Sequence, residues 1–324
     1  MISSTKITIE KSCLEEIVKS NFNEKERLVS YHALNGGWFN TAYKLKLTSR
    51  DVIVKIAPGN NCNIQHYEVG MMNGEYKSLK LLKAHGFKVP DVLFYDVSKS
   101  IIPSEYIILS IIQGTTLNDL WENKLISGEE VSSVSYEIGK LNFKINQIKG
   151  DRFGYVSDKQ PKFNNWFKCI EYLFNDLIKD AKQFNIQLNW DMNLVIKKLH
   201  HCRMIFEKVD TPYFVYHDLS EANIFIEKNN IKGIIDPERA LFGDPLMENH
   251  FMSYCEHNKT FLRGYNNISF EEEGRIKQAF YSFYKGIMMY IETFVREYAD
   301  DTVRKWIKPY IEKDYKNLNE LIHD

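Results

Sequence analysis

Between Tyr216 and Pro245 the chain reads YHDLSEANIFIEKNNIKGIIDPERALFGDP, and no other stretch restricts its fold so tightly. Ile224 to Glu227 and Ile231 to Ile235 read as two short strands joined through the turn-forming pair Asn229-Asn230. With those two residues as the loop, Lys228 faces Ile231, and Glu227 faces Lys232 as a favourable cross-strand charge pair. Ile224 then faces Ile235, and Asn223 lies opposite Asp236. The open end of the hairpin thus gathers an amide oxygen and a carboxylate. Hard oxygen ligands of this kind suit Mg²⁺, which keeps several waters and is completed by substrate phosphates. Asp218 precedes Asn223 by five residues, in the loop entering the first strand. From there it can accept the proton of an attacking hydroxyl. Asp and Asn are common turn residues, so a lone D-x-x-x-x-N says little. The loop Asp, the Asn, the hairpin and a second Asp followed by Gly-Asp-Pro together point to transfer of a nucleotide γ-phosphoryl group.

Length and composition fit an intracellular enzyme. The 324 residues suggest two lobes, and 44% hydrophobic content suffices for a real core. A net charge of −1 gives no global field for nucleic acid or an anionic membrane, and neither partner is expected. The five cysteines are scattered and lack a C-x-x-C pair, which fits a reducing, cytoplasmic setting better than a disulfide framework or zinc site. The first eleven residues carry no apolar leader, and no run approaches a membrane span. His200-His201 is the one histidine pair, but adjacent helical residues point about 100° apart, which argues against a metal site. No obligate protein partner is evident.

The first third supplies a matching nucleotide site. Val29 to Leu47 reads as strand, glycine-rich turn, strand. In the turn, Gly36 and Gly37 would let backbone N–H groups approach phosphates, with Asn40 and Thr41 as further donors. Neither a G-x-x-x-x-G-K-[ST] nor a G-x-G-x-x-G pattern occurs, which argues against a P-loop or a Rossmann fold. Asp51 to Ala57 is a strand with Val52, Val54 and Ile56 on one face and Lys55 on the other. Lys55 is thereby placed to reach α- and β-phosphates. A helix from about Gln65 to His85 carries Glu75, which could hold Lys55 straight; Glu68 is a weaker candidate. Strands follow at Val92 to Tyr95 and Tyr106 to Ile112, the second ending where an adenine would find backbone donors and acceptors.

The segments NGGWFNTAYKL, VIVKIA, GEYKSLKLLKAHGFKVP, YIILSIIQGTTL, DRFGY, HDLSEANIF, IIDPERALFGDP and FLRGY occur in a familiar order between Leu28 and Tyr265. In them the chain resembles the aminoglycoside phosphotransferase and choline kinase-like family, the small-molecule branch of the protein-kinase fold. The resemblance implies an α+β, two-lobed architecture. Residues 1–112 would form an N-lobe with an antiparallel sheet and one helix, and residues 113–324 a larger, mainly helical C-lobe. It implies a hinge near Ser110 to Gln113, with Ser110 and Ile112 facing the nucleotide. It makes Asp218 the catalytic base, Asn223 and Asp236 the Mg²⁺ ligands, and Lys55 the phosphate contact with Glu75 as partner. Asp244 would be a structural acid, and Glu238 a group behind the metal. Two departures stand out. Tyr216 replaces the usual His two residues before the catalytic Asp, its hydroxyl taking over the hydrogen bond. Pro237 follows the metal-binding Asp where an aromatic is common.

Asn165 to Phe184, Asp191 to Lys208 and Glu271 to Tyr298 read as further helices. The last has an apolar stripe of Ile276, Phe280, Phe283, Ile287, Ile291, Phe294 and Tyr298 that belongs to a core. Glu248, Glu256, Asp300 and Asp301 are the carboxylates that could face a polycationic acceptor. The sequence thus predicts an Mg²⁺-dependent kinase using ATP or GTP and a small-molecule hydroxyl acceptor, an aminoglycoside or a metabolite such as a sugar or amino alcohol. Alternatives are a protein kinase, a non-catalytic nucleotide-binding regulator and a metal-dependent hydrolase.

Overall fold

Alternating Val52, Val54 and Ile56 fix the buried face of β3 (Asp51–Ile56). The computed structural model describes residues 3–34, 36–255 and 259–322, so the expectations placed on Asn35 and Glu256 lie outside the described residues. In it β3 lies within a five-stranded antiparallel sheet. The other strands are β1 (Leu28–Leu34), β2 (Thr41–Leu47), β4 (Val92–Asp96) and β5 (Tyr106–Ser110), in the order β1-β2-β3-β5-β4. One face buries Leu45, Val52, Val54 and Ile108 against Leu14, Ile17 and Val18 of α1 (Lys11–Asn21), a helix not assigned from the sequence. Burial of each such side chain contributes about 1.5–3 kcal/mol. The other face shares a core with Leu79 and Leu82 of α2 (Met71–Ala84).

The helix expected from Gln65 is interrupted. His66–Glu68 make a single 3₁₀ turn, and Gly70, at φ 77°, opens α2 at Met71. A Cβ at Gly70 would stand 2.5 Å from Ser157 Oγ, so backbone and neighbour both require glycine there.

Beyond the sheet come β6 (Thr115–Thr116), α3 (Leu117–Glu122), α4 (Gly128–Ile145), β7 (Gly154–Tyr155), α5 (Trp166–Gln183), α6 (Met192–His201), α7 (Arg203–Glu207) and β8 (Tyr213–Val215). The hairpin β9 (Ile224–Glu227) and β10 (Asn230–Ile234) follows, then β11 (Leu241–Gly243), α8 (Lys259–Gly264), α9 (Glu272–Val295) and α10 (Thr302–Leu321). The helix expected from Asp191 to Lys208 divides at Cys202. Along α9, Ile276, Phe280, Phe283, Ile287 and Ile291 are buried as expected, but Phe294 is 37% exposed. The inward line runs on through Val295, four residues after Ile291. Asp300 and Asp301 sit at the start of α10, which begins at Thr302, where acidic side chains suit the helix dipole.

The hairpin register differs from the expected one. Its loop is Lys228-Asn229, with φ of 48° and 60°, the positive values a type I′ turn requires. Ile231 faces Ile226 and Ile234 faces Ile224, with a bulge between Ile231 and Gly233. Ile235 N–H donates to the Asn223 carbonyl at 3.0 Å, so Asn223 remains aligned with the residue preceding Asp236. Lys232 and Glu227 form their ion pair at 2.7 Å. No helix among the described residues is long and apolar enough to cross a membrane.

Candidate active site

Lys55 lies on the sheet face turned towards α2, and two carboxylates claim its ammonium. Lys55 Nζ donates to both Glu75 oxygens at 2.8 Å and to Asp236 Oδ1 at 2.6 Å, with Glu238 Oε2 at 4.0 Å. Gly74 permits this convergence: a Cβ there would come within 3.2 Å of the Glu238 carbonyl oxygen, so its absence lets α2 approach the Asp236 segment. Asp236, at φ 70°, leads into a 3₁₀ turn at Pro237–Arg239. Burial works against the charge on Lys55, but Asp236, Glu75 and Glu238 outweigh it and raise its pKa. Burial pushes Glu75 up to about 7 against the pull of Lys55. Glu238 is raised well above the usual carboxylate range by burial and then by repulsion from Asp236. Glu68, the weaker candidate for Lys55, is taken by Arg296 instead.

The donors present fit a divalent cation. Asn223 Nδ2 donates to the Asp218 carbonyl at 2.9 Å, which leaves Asn223 Oδ1 as the available ligand atom. With Asp236 this makes a pair of hard oxygens. Oxygens of Glu75, Asp236 and Glu238 also lie within 4.8 Å of one another.

The Asp218 loop is pinned from several directions. The N–H groups of Tyr216 and His217 donate to the two oxygens of buried Glu248, at 2.8 and 3.1 Å. Asn146 Nδ2 adds a third donor to Glu248 at 2.8 Å. Lys285 Nζ donates to the His217 carbonyl at 2.8 Å. His217 takes a φ of 66° in this loop, and burial drives its imidazole to the neutral form. Asp244 accepts from Lys277 Nζ at 2.7 Å and from the Tyr281 hydroxyl at 2.8 Å, anchoring α9 to the segment after β11.

Asp218, Asn223 and Asp236 open onto a cavity of ≈ 620 Å³ whose rim includes Gly36 and Gly37. Trp38 of the glycine turn packs on Tyr298, ring centroids 4.4 Å apart, and the Arg296 guanidinium lies 4.9 Å from the Phe39 ring centroid. Asn40 Nδ2 donates to Glu238 at 2.7 Å, and the Thr41 hydroxyl accepts the Ile7 N–H at 2.9 Å. Asn40 thus spends one amide N–H on Glu238, and Thr41 acts as an acceptor towards Ile7. Ser110 N–H donates to the Asp91 carbonyl and Ser110 Oγ accepts the Asp91 N–H, at 2.9 and 2.8 Å. The Ile112 side chain fills the space left by the missing Cβ of Gly233. Neither Ser110 nor Ile112 lines this cavity.

A buried network behind the site was not read from the sequence. Arg239 Nη2 donates to Glu292 Oε2 at 3.2 Å, and the Tyr67 hydroxyl to Glu292 Oε1 at 2.5 Å. Arg296 Nε donates to Glu68 Oε1 at 2.7 Å, with Nη1 3.4 Å from Glu292 Oε2. The signal available was Glu292 and Arg296, spaced i,i+4 across the C-terminal end of α9, where the preceding turns from Gly286 to Ile291 carry no charge.

The remaining wall includes Tyr254, Met289, Tyr298 and Trp306, with Lys285 beneath. Trp306 is 44% exposed and packs on Tyr254 at 5.5 Å between centroids. Burial pulls the Lys285 pKa down to about 8, although Asp218 opposes the shift. Glu248 is spent on the Asp218 loop and Asp300 accepts the Thr302 N–H at 2.9 Å. Asp301 pairs with Lys305 at 3.1 Å.

The fold is two-lobed and kinase-like, an antiparallel sheet followed by a larger, mainly helical region. Residues 30–265 match the phosphotransferase enzyme family, and the chain belongs to that family. A thermostable mutant of aminoglycoside phosphotransferase APH(4)-Ia superposes with a TM-score of 0.66 at 18% identity, over 95% of this chain and 99% of that one. A protein from Haemophilus somnus 129PT, provisionally assigned as a fructosamine-3-kinase, gives 0.67 at 14% identity, over 96% of this chain and 97% of that one. The streptomycin–ATP complex of APH(2″)-IIa gives 0.61 at 14% identity, over 97% and 99%. At such identities the likeness is one of fold. No curated protein sequence matches the chain significantly.

Proposed function

We propose that this protein transfers the γ-phosphoryl of ATP or GTP to a hydroxyl of a small molecule. The observation that carries the reading is Lys55, bound at once to Glu75 of α2 and to Asp236 after the hairpin. In this reading Lys55 contacts the phosphates beneath the Gly36-Gly37 turn. Asp236 and Asn223 would hold Mg²⁺, which supplies neutralisation of phosphate charge. Asp218 accepts the proton of the acceptor hydroxyl, and its pinned loop fixes the line of attack. Ser110 and Ile112 are the backbone candidates for the nucleotide base.

For the acceptor, the aromatic and apolar wall at Tyr254, Met289 and Trp306 favours an alcohol with an apolar face. Buried Lys285 and the engagement of Glu248, Asp300 and Asp301 within the protein count against a polycation. The APH(2″)-IIa relative is known in complex with streptomycin and ATP. Aminoglycosides therefore belong in the test panel beside macrolides, sugars and amino alcohols. The experiment is acceptor-dependent release of ADP and GDP with Mg²⁺ across that panel, using Asp218→Asn as the blank. A phosphorylated product made by the parent and not by the variant is expected. Equal turnover by both proteins would end the assignment.

A further inference from the structure

Residues 3–9 cross the glycine turn and tie it to α9. Ser4 N–H donates to the Arg296 carbonyl at 2.9 Å. Thr5 Oγ1 donates to the Phe39 carbonyl at 3.0 Å, Ile7 N–H to the Thr41 hydroxyl at 2.9 Å, and Ile9 N–H to the Tyr43 hydroxyl at 3.2 Å. Within this run Lys6 is the residue that brings a charge. Its ammonium donates to the Asn40 carbonyl and lies 3.5 Å from where a Cβ on Gly37 would stand. Asn40 in turn holds Glu238, the acid beside Lys55.

The ammonium of Lys6 has the Asn40 carbonyl as its protein acceptor. It has three donors, and the Asn40 carbonyl takes one. Among the described residues no carboxylate comes within the 4.0 Å of an ion pair. Glu238 and Asp236 attract it, while Lys55 and Arg296 repel it. Burial also works against its charge. A half-buried cation with unused donors, packed on a glycine turn beside a lysine–carboxylate cluster, matches an anion that the protein itself does not supply.

We propose that Lys6 is a phosphate-binding residue of the nucleotide site, its ammonium donating to the phosphate chain held at the Gly36-Gly37 turn. The inference rests on the reading of this cavity as a nucleotide site. It adds a second lysine, delivered by the N-terminal segment, to the one on β3. The same segment joins the turn to the C-terminal end of α9.

The test is calorimetric titration of the full chain with ATP, ADP, AMP and adenosine in Mg²⁺, with the guanine series in parallel. Lys6→Met should weaken triphosphate binding about 10–100-fold, the usual worth of a hydrogen bond to a charged group, and leave adenosine unchanged. Lys6→Arg should keep most of the affinity, and Thr5→Val, which alters the segment without touching the charge, should leave the ratio of ATP to adenosine affinity as it was. Equal losses on ATP and adenosine would show a purely structural segment, and no loss at all would likewise overturn the proposal. If Asp236→Asn loses ATP while Lys6→Met does not, only this inference falls. If the parent binds neither ATP nor GTP, the nucleotide reading falls with it.

Discussion

The Tyr216 hydroxyl donates to the Ile235 carbonyl at 2.7 Å, joining the loop of the catalytic candidate to the residue just before the metal candidate. Asp218 lies two residues after Tyr216, and Asp236 one after Ile235. This hydrogen bond therefore contributes to the spacing of the two acids, beside those of Asn223 to the Asp218 carbonyl and of Ile235 N–H to the Asn223 carbonyl. Tyr216 is fully buried, so Tyr216→Phe would leave the carbonyl without its partner. The expected loss is about 1–3 kcal/mol of stability. Turnover should fall more than nucleotide affinity, because the spacing of the acids is what changes. Denaturant unfolding and a kcat-against-KM comparison would check both parts; an unchanged kcat would show that the bond does not set the spacing.

Lys55 is the only cation within 4.0 Å of the Glu75–Asp236–Glu238 cluster among the described residues. Lys55→Met should cost about 3–5 kcal/mol at pH 8, since it leaves buried carboxylates uncompensated. The pH dependence has a definite sign. Burial already raises Glu75 to about 7 with Lys55 present, above its unfolded value of 4.5. Removing the lysine raises the folded value further, so the native variant binds more protons than its unfolded chain. Its stability should fall as pH rises from about 4.5 through 7 and beyond. Thermal melts of parent and variant at pH 5 and pH 8 should show the gap widening with pH, and a constant gap would contradict the argument.

Glu248 separates a loop-supporting role from an acceptor-binding one. It is fully buried and accepts from Asn146, Tyr216 N–H and His217 N–H. Glu248→Gln would turn an amide donor towards one of these donors, at an expected cost of about 1–3 kcal/mol. Steady-state kinetics should show kcat reduced with acceptor KM little changed. A raised acceptor KM with intact stability would instead put Glu248 in the acceptor pocket.

These relationships show which parts of the site local sequence can encode. The Asp218–Asn223–Asp236 spacing was legible because a hairpin is a short-range object, but the loop position and the bulge that set its register are not marked by residue types alone, so Asn223 ends opposite Ile235 and not Asp236. Lys55 and Glu75 were legible because strand alternation and helix period each fix a face. Glu68 could be ranked below Glu75 but not placed, since Gly70 breaks the helix between them and turns Glu68 towards Arg296. The Arg239–Glu292 pair joins residues far apart in the chain, which no local period reports. Asn40 and Thr41 were read by their capacity as donors, whereas their partners Glu238 and Ile7 come from other segments. The same distance in sequence hid Lys6.

Asp314 offers a test of the helical region away from the site. It is 2% exposed, and its Oδ2 accepts the Ser253 hydroxyl at 2.6 Å. Burial pushes its pKa up to about 7 from 3.8, with Ser253 and Lys313 opposing. The native state therefore holds a proton that the unfolded chain has released, and stability falls as pH rises from 3.8 to about 7. Asp314→Asn keeps an acceptor for Ser253 and removes the buried charge. Above pH 7 the variant should be the more stable protein, by at most about 4 kcal/mol, the free energy of a three-unit shift. Its advantage in Tm should shrink steadily as the pH is lowered towards 4, where both side chains are neutral. An advantage independent of pH, or a variant less stable than the parent at pH 8, would mean that the carboxylate is stabilised by its surroundings rather than penalised by them.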